Sequence, residues 1–194
     1  MMEKIWDVII IGGGASGLMA GVVAAGSGKS VLILEKNKEC GEKLKITGGG
    51  RCNITNATYD TRAMLKNYGN AEQFIYSAFS QFSVTDTFTF FEKLNLPLVV
   101  EARDRAFPKT QKATDVYQAL YKKLIEFKVE IKTNSGVSGV FSKNGKIESV
   151  ICGGKLYKGK SFILATGGVS HQETGSTGDG FDWLRSLGHS IVEP

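Results

Sequence analysis

The pattern Gly12-x-Gly14-x-x-Gly17 lies between a β-branched apolar run, Ile5 to Ile11, and an alanine-rich segment, Ala15 to Ala25. No other feature of the chain narrows its fold as much. An apolar run of this kind reads as a strand buried on both faces, and a second one follows at Val31 to Leu34. Strand, helix and strand within about 30 residues make a right-handed crossover, so the two strands run parallel. Gly12 permits the tight turn, Gly14 lets the backbone approach a diphosphate, and Gly17 allows helix and strand to pack closely. The helix beginning at Ala15 and Ser16 presents free amides and a partial positive charge to that same point. Glu35 ends the second strand, 18 residues after Gly17. An acid there accepts hydrogen bonds from an adenosine ribose, and it disfavours a 2′-phosphate because two anions would meet. The expected fold class is α/β, with a parallel sheet that carries a dinucleotide.

Composition agrees and excludes several alternatives. With 42% hydrophobic and 22% charged residues the chain is globular, not disordered. Its 24 glycines accompany only 3 prolines without a G-X-Y period, so the glycine excess marks local close approaches. Cys40, Cys52 and Cys152 have no C-x-x-C spacing and only His171 and His189 accompany them, which argues against a disulfide framework and a metal centre. The net charge of +5 favours anionic ligands mildly. No run of five like charges and no aromatic–basic interleaving appears, so no nucleic-acid partner is expected. Val8 to Gly26 is uncharged but holds six glycines behind Glu3, Lys4 and Asp7. It is neither a signal peptide nor a membrane span, and a cytoplasmic protein is expected.

Beyond the first unit, Lys36 to Asn56 reads as one long loop. Helices are expected over Thr61 to Tyr68, Ala71 to Phe79 and Val84 to Leu94, the last capped by Ser83 with Asp86 three residues on. Leu96 to Glu101 is extended, and a helix starts at Thr114 or Asp115 with Val116, Leu120, Leu124 and Phe127 on one face. Val129 to Thr133 is a strand. Asn144-Gly145 turns a hairpin between Val137 to Phe141 and Ile147 to Ile151. Lys155 to Lys158 reads as a short strand, Ser161 to Leu164 as a separate apolar one, and Gly178 to Leu187 as a helix. A new strand is expected to begin at Ile191-Val192.

Two further constellations carry chemistry. Gly41-Glu42-Lys43 leads into Thr47-Gly48-Gly49-Gly50-Arg51-Cys52-Asn53, where glycines followed by a cation make a backbone nest with a charge beside it. A mobile surface loop would read the same way, and a lone Cys52 is more often a packing residue than a nucleophile. The second is Ala165-Thr166-Gly167-Gly168, followed by Gly175-Ser176-Thr177-Gly178-Asp179-Gly180. Asp179 opens a helix there, and taken alone it reads first as the charge that stabilises that helix's N-terminus.

The three motifs in this order resemble the FAD-dependent flavoproteins with two dinucleotide-binding domains, in which a Rossmann-like sheet carries a β-meander crossover, as in glutathione reductase. The T-G-G-G-R-C-N core is similar to the bacterial YhiN/BaiN-like family of NAD(P)/FAD-dependent oxidoreductases, which includes enzymes read as aminoacetone oxidase and as reductases of oxidised bile acids. T-G-D-G at Thr177 to Gly180 is similar to the fumarate reductase flavoprotein group. The resemblance implies FAD, with NAD(P)H as an electron donor and a small-molecule substrate. Gly12, Gly14, Ala15, Ser16 and Gly17 would hold the pyrophosphate, and Glu35 the ribose. Lys36 and Lys43 would flank the adenosine and phosphates. Gly50, Arg51, Cys52 and Asn53 would lie near the flavin, and Val137 would offer its backbone to the adenine. Ala165, Thr166, Gly167 and Asp179 would complete the adenosine side. No histidine lies between Lys36 and Asn56, so non-covalent FAD is expected.

The family's chains are about twice as long. The resemblance therefore implies that residues 1–194 form the N-terminal segment of an incomplete FAD-binding domain, without the inserted substrate domain and the returning segment. Self-association through an unfinished sheet edge near Ile191 is expected on that reading. The expected activity is hydride transfer between FAD and a small organic substrate, with no catalytic side chain assigned. Two alternatives are a flavin-containing protein that binds or modifies tRNA and a non-catalytic FAD-binding module.

Overall fold

In a computed structural model, which describes residues 4–192, the apolar runs of the sequence become the strands of a twisted sheet. From the N-terminus the elements are β1 (Ile5–Ile11), α1 (Ala15–Gly26), β2 (Val31–Leu34), α2 (Glu42–Gly50), β3 (Thr55–Asn56), α3 (Thr61–Lys66), α4 (Glu72–Gln81) and α5 (Val84–Lys93). They continue with β4 (Leu98–Glu101), β5 (Arg105–Pro108), α6 (Ala113–Glu126), β6 (Glu130–Lys132), β7 (Val137–Lys143), β8 (Lys146–Cys152), β9 (Lys155–Leu164) and α7 (Asp179–Ser186). The chain divides into two compact units, one formed by residues up to Lys43 with those from Leu120 onward, the other by Leu44–Ala119.

The first unit is built on a six-stranded sheet of order β6-β2-β1-β9-β8-β7. Strands β6, β2, β1 and β9 are mutually parallel, and β9, β8 and β7 form an antiparallel meander. This is the α/β sheet that the sequence pattern predicts, with the meander crossover that the resemblance implies. One face buries Trp6, Ile9, Ile11, Leu32, Leu34, Val150 and Cys152 together. Alternation is absent from β2 because all four of its residues are buried, the signature of a central parallel strand. The hairpin turn has left-handed Asn144 and Gly145 (φ 51° and 73°), as a two-residue primed turn requires.

Three expectations need correction in this unit. Lys155 to Lys158 and Ser161 to Leu164 are one strand, β9, which pairs antiparallel with β8 through Lys158 and parallel with β1 from Lys158 to Leu164. Gly159 allows the change of partner, since a Cβ there would crowd Ile9 at 3.0 Å. Ile191-Val192 forms no strand; two β-branched residues, Val192 being 92% exposed, have no sheet neighbour to pair with among the described residues. The strand edge expected near Ile191 is therefore absent among the described residues.

The second unit holds a three-stranded antiparallel sheet of order β3-β5-β4 with α3, α4 and α5. The Ser83 hydroxyl accepts from the Asp86 N–H and the Asp86 carboxylate accepts from the Ser83 N–H, a full capping box for α5. Strand β5 escapes sequence reading because Arg105-Ala106-Phe107-Pro108 is short and ends in proline; its centre, Ala106 and Phe107, is fully buried between two neighbours. The expected loop from Lys36 to Asn56 is also corrected, for it contains α2 and β3. Helical geometry in α2 breaks at Thr47, Gly48 and Gly49.

Candidate cofactor site at the C-terminal edge of the sheet

The chain places β2 and β6 on one side of β1 and β9 on the other. The strand order reverses between β1 and β9, and their carboxyl ends bound a crevice there. Gly12, at φ 104°, turns the chain out of β1. A Cβ on Gly12 would run into the Ala165 carbonyl oxygen, and one on Gly17 into the Gly12 carbonyl oxygen. Both glycines are therefore required by packing. Gly14 differs: a Cβ there would meet nothing within 4 Å. Gly14 is the N-cap of the 12-residue α1, no side chain caps that end, and Ala15 and Ser16 are exposed. The first-turn amides thus face open space beside a glycine with no side chain, a cradle that suits a diphosphate.

Glu35 is 6% exposed and sits beneath this loop. Its Oε2 accepts the Gly13 N–H at 2.6 Å and its Oε1 accepts the Asn37 N–H at 2.8 Å. A carboxylate has about four acceptor positions, so roughly two remain for a ribose. Lys36 Nζ donates to Thr177 Oγ1 at 2.5 Å and to Asp179 Oδ2 at 2.9 Å. Hydrogen bonding from Lys36 leads the causes that hold the Asp179 carboxyl below its ordinary value. Asn37 Nδ2 donates to the Thr174 carbonyl at 3.0 Å, so the turn after β2 is fastened to residues 174–179 at two points. Lys43 Nζ donates to the Ser170 carbonyl. Ala165 N–H donates to the Ile11 carbonyl at 2.8 Å, and Gly167, at φ 76°, passes so close to Ser176 that a Cβ would lie 2.7 Å from its hydroxyl. Thr166 packs its hydroxyl against Gly180. Val137 opens β7, and Gly136 before it rests against Lys36.

The first unit thus gathers Gly12, Gly14, Ala15, Ser16, Gly17, Glu35, Lys36, Lys43, Ala165, Thr166, Gly167 and Asp179 along one sheet edge, with Val137 approaching through Gly136. Asn37, Cys40, Ser176 and Thr177, which the sequence patterns do not single out individually, join them. Ser176 and Thr177 lie inside a motif that sequence reading singled out, whereas Asn37 and the buried Cys40 beside Gly13 carry no local signal.

Gly50, Arg51, Cys52 and Asn53 belong to the second unit. Gly48, Gly49 and Gly50 are all left-handed (φ 56°, 65° and 81°), and the last two open on free space. Cys52 is 4% exposed, and burial pushes its thiol up, against a smaller opposing hydrogen bond with Thr47. It is a packed thiol, not a poised nucleophile. The Asn53 amide, oriented to suit its neighbours, donates to the Ala106 and Thr55 carbonyls and ties β3 to β5. Arg51 Nη1 donates to both Glu101 oxygens at 3.2 and 3.0 Å and to Gln111 Oε1 at 3.1 Å, with the guanidinium 4.2 Å from the Phe107 ring centre. Glu101 and Gln111 lie 50 and 60 residues from Arg51, too far for any spacing rule. No group of three or more potential metal ligands occurs among the described residues, and no helix among them is long and apolar enough to cross a membrane.

Comparison with known proteins follows the same lines. The chain matches the HI0933-like protein Rossmann domain over residues 6–194. It is 34% identical over 185 residues to the 3-dehydro-bile acid Δ(4,6)-reductase of Clostridium scindens, covering 94% of this chain and 44% of that relative. It is 26% identical over 191 residues to the ribosomal RNA dihydrouridine synthase of Escherichia coli, covering 98% and 46%. The chain spans less than half the length of these curated relatives. The open conformation of a flavocytochrome c3 fumarate reductase superposes with a TM-score of 0.76 at 18% identity, over 96% of this chain and 41% of that one. A 3-ketosteroid-Δ4-(5α)-dehydrogenase from Rhodococcus jostii does so with 0.74 at 15% identity, over 98% and 55%. The fold is a Rossmann-type FAD-binding fold, and the chain belongs to the HI0933-like Rossmann-domain family.

Proposed function

We propose that this chain is the FAD-binding part of an oxidoreductase that moves hydride between non-covalent FAD and a small organic substrate. The observation that carries the reading is the uncapped N-terminus of α1, opening beside Gly14 at the switch point of the sheet. Gly12, Gly14, Ala15, Ser16 and Gly17 receive the diphosphate. Glu35 takes the ribose with its remaining acceptor positions while holding the loop. Lys36 and Asp179, with Ala165, Thr166 and Gly167, bound the adenosine side, and Val137 offers backbone to the adenine. Lys43 fastens the loop at Ser170, and Gly50, Arg51, Cys52 and Asn53 serve the flavin end. When bound, FAD supplies the two-electron chemistry; the protein binds and orients it.

Two relatives are named for adding hydrogen to a carbon–carbon double bond, one in a Δ(4,6) bile acid and one in uridine of ribosomal RNA. We read this chain as serving the same reaction class, with NAD(P)H as donor. The purified protein should carry yellow flavin that acid precipitation releases into the supernatant, and NAD(P)H should bleach it anaerobically. Colour retained in the pellet refutes non-covalent attachment, and failure to bind FAD at all refutes the reading.

A second reading has its own support. The similarity to the ribosomal RNA enzyme covers 98% of the chain, and the net charge is +5. On it the substrate is a base within RNA. Binding to an RNA hairpin should then weaken steeply as salt rises. Absence of binding at low salt removes this reading and leaves the small-molecule one.

A further inference from the structure

We propose that Glu101 and Gln111 are positioning residues, and that they hold Arg51 as a half-free fork for a bidentate oxyanion. An arginine has five N–H donors in one plane. Both Nη1 protons are committed, to the Glu101 carboxylate and to Gln111 Oε1. One face of the guanidinium lies on Phe107, which is itself 1% exposed and so a fixed platform. Nε and Nη2 make no hydrogen bond to any described residue, and the Arg51 side chain is 38% exposed. One edge and one face are thus anchored, and the other edge is left to donate in parallel, the geometry that matches a carboxylate or a phosphate.

The surroundings agree with a built group. Arg51 directly follows the left-handed glycines 48–50, and a Cβ at Gly49 or Gly50 would meet nothing within 4 Å, so the approach to the arginine is open on that side. Of the two positioning residues, Glu101 ends strand β4 in ordinary extended backbone, while Gln111 is left-handed at φ 59°. Non-glycine residues persist in that region only where their surroundings fix them. Glu101 also cancels the arginine's charge. The device therefore selects by orientation, and a lysine in place of Arg51 cannot reproduce it.

The ligand chemistry is a planar or tetrahedral oxyanion, supplied either by a phosphate of the dinucleotide or by a carboxylate of the substrate. The inference rests on the flavoprotein reading only for the first source. The whole chain is titrated by calorimetry with FAD, riboflavin, pyrophosphate and fumarate, as wild type and as Arg51→Lys, Glu101→Gln and Gln111→Leu, with thermal melts alongside. If the source is the cofactor, Glu101→Gln and Gln111→Leu weaken FAD and pyrophosphate by about tenfold, as supporting-shell changes do, and leave riboflavin unchanged. If it is the substrate, the same variants weaken fumarate and leave FAD unchanged. Either pattern supports the clamp. A lowered melting temperature with all four affinities unchanged makes the cluster a structural staple and overturns it. So does a loss confined to Arg51→Lys, since Glu101 and Gln111 would then position nothing. If the wild type takes no FAD, the flavoprotein reading fails, and the pyrophosphate and fumarate titrations still decide the clamp.

Discussion

A methyl group added at Gly17 and one added at Gly14 meet opposite surroundings. At Gly17 it strikes the Gly12 carbonyl oxygen, which is backbone and cannot turn aside, so Gly17→Ala should destabilise the fold by roughly 2–4 kcal/mol. At Gly14 the backbone is already extended (φ −74°) and the space is open, so Gly14→Ala should change stability by less than about 1 kcal/mol. That methyl nevertheless enters the space a diphosphate needs, and FAD affinity should fall by at least about tenfold, or 1.4 kcal/mol. Thermal melts and FAD titration of the two variants separate folding glycine from binding glycine; equal affinity of Gly14→Ala and wild type would place the diphosphate elsewhere. Glu35 has both duties at once. Its buried carboxylate accepts two backbone N–H groups, and charged hydrogen bonds contribute about 1.5–3 kcal/mol each. Glu35→Ala should cost roughly 3–5 kcal/mol of stability and one to three orders of magnitude in FAD affinity, read by urea melts and titration of apoprotein. Lost stability with unchanged affinity would leave Glu35 as a loop anchor alone. The position of Glu35 is legible in sequence as the acid that ends the second strand. Its bonds to Gly13 and Asn37 are not, because nothing local announces which backbone amides turn toward it.

At the scale of elements, legibility follows how much of an element's reason is local. Helix α5 was readable down to its Ser83–Asp86 box because cap and apolar period lie within a dozen residues. Strands β1 and β2 are readable because burial on both faces leaves an apolar run, unbroken in β2 and interrupted only by Asp7 in β1. Strand β9 was split in two by Gly159-Lys160, since its continuity comes from exchanging β8 for β1 as a neighbour. Strand β5 was missed because only its two partners make Arg105–Pro108 a strand. The turn after β2 and the segment 174–179 are a case of the same kind: each is a loop alone, and the Lys36–Asp179 pair joins them. Lys36 holds the Asp179 carboxyl below its ordinary value, so the fold favours the charged form. The pair's contribution is therefore complete above about pH 4, the unfolded value, and is lost as pH falls through the lower folded one. Both side chains are about a third or more exposed, so the effect is modest. Asp179→Asn should lower the melting temperature by a constant amount from neutral pH down to about pH 5, with the gap closing in stronger acid. A gap that widens in acid would mean that the pair does not hold the loops.

At the scale of the whole molecule, the two units were not foreseen as separate bodies, although the parallel sheet and its cofactor edge were. Which helices and small strands pack together is decided by long-range contacts, and the motifs at Gly12 and Gly48 read alike in a linear sequence. The sheet of the first unit carries one exposed feature that a strand-by-strand reading placed wrongly. Strand β9 pairs with β8 only from Lys155 to Lys158, and from Gly159 to Leu164 it pairs with β1 alone. Among the described residues its other edge there has no strand beside it. Lys160 already places one charge on this stretch, yet an edge with no strand beside it still recruits a strand that can reach it, including a copy of itself. The chain should therefore show a molar mass that rises with concentration in sedimentation velocity. Ser161 is exposed on that stretch, and Ser161→Lys would add the charge that blunts natural edges. The variant should stay monomeric, with unchanged FAD affinity, because the substitution lies short of Ala165 and the cofactor crevice. A wild-type chain that remains monomeric at high concentration would show that the β9 edge is covered by something other than a second copy.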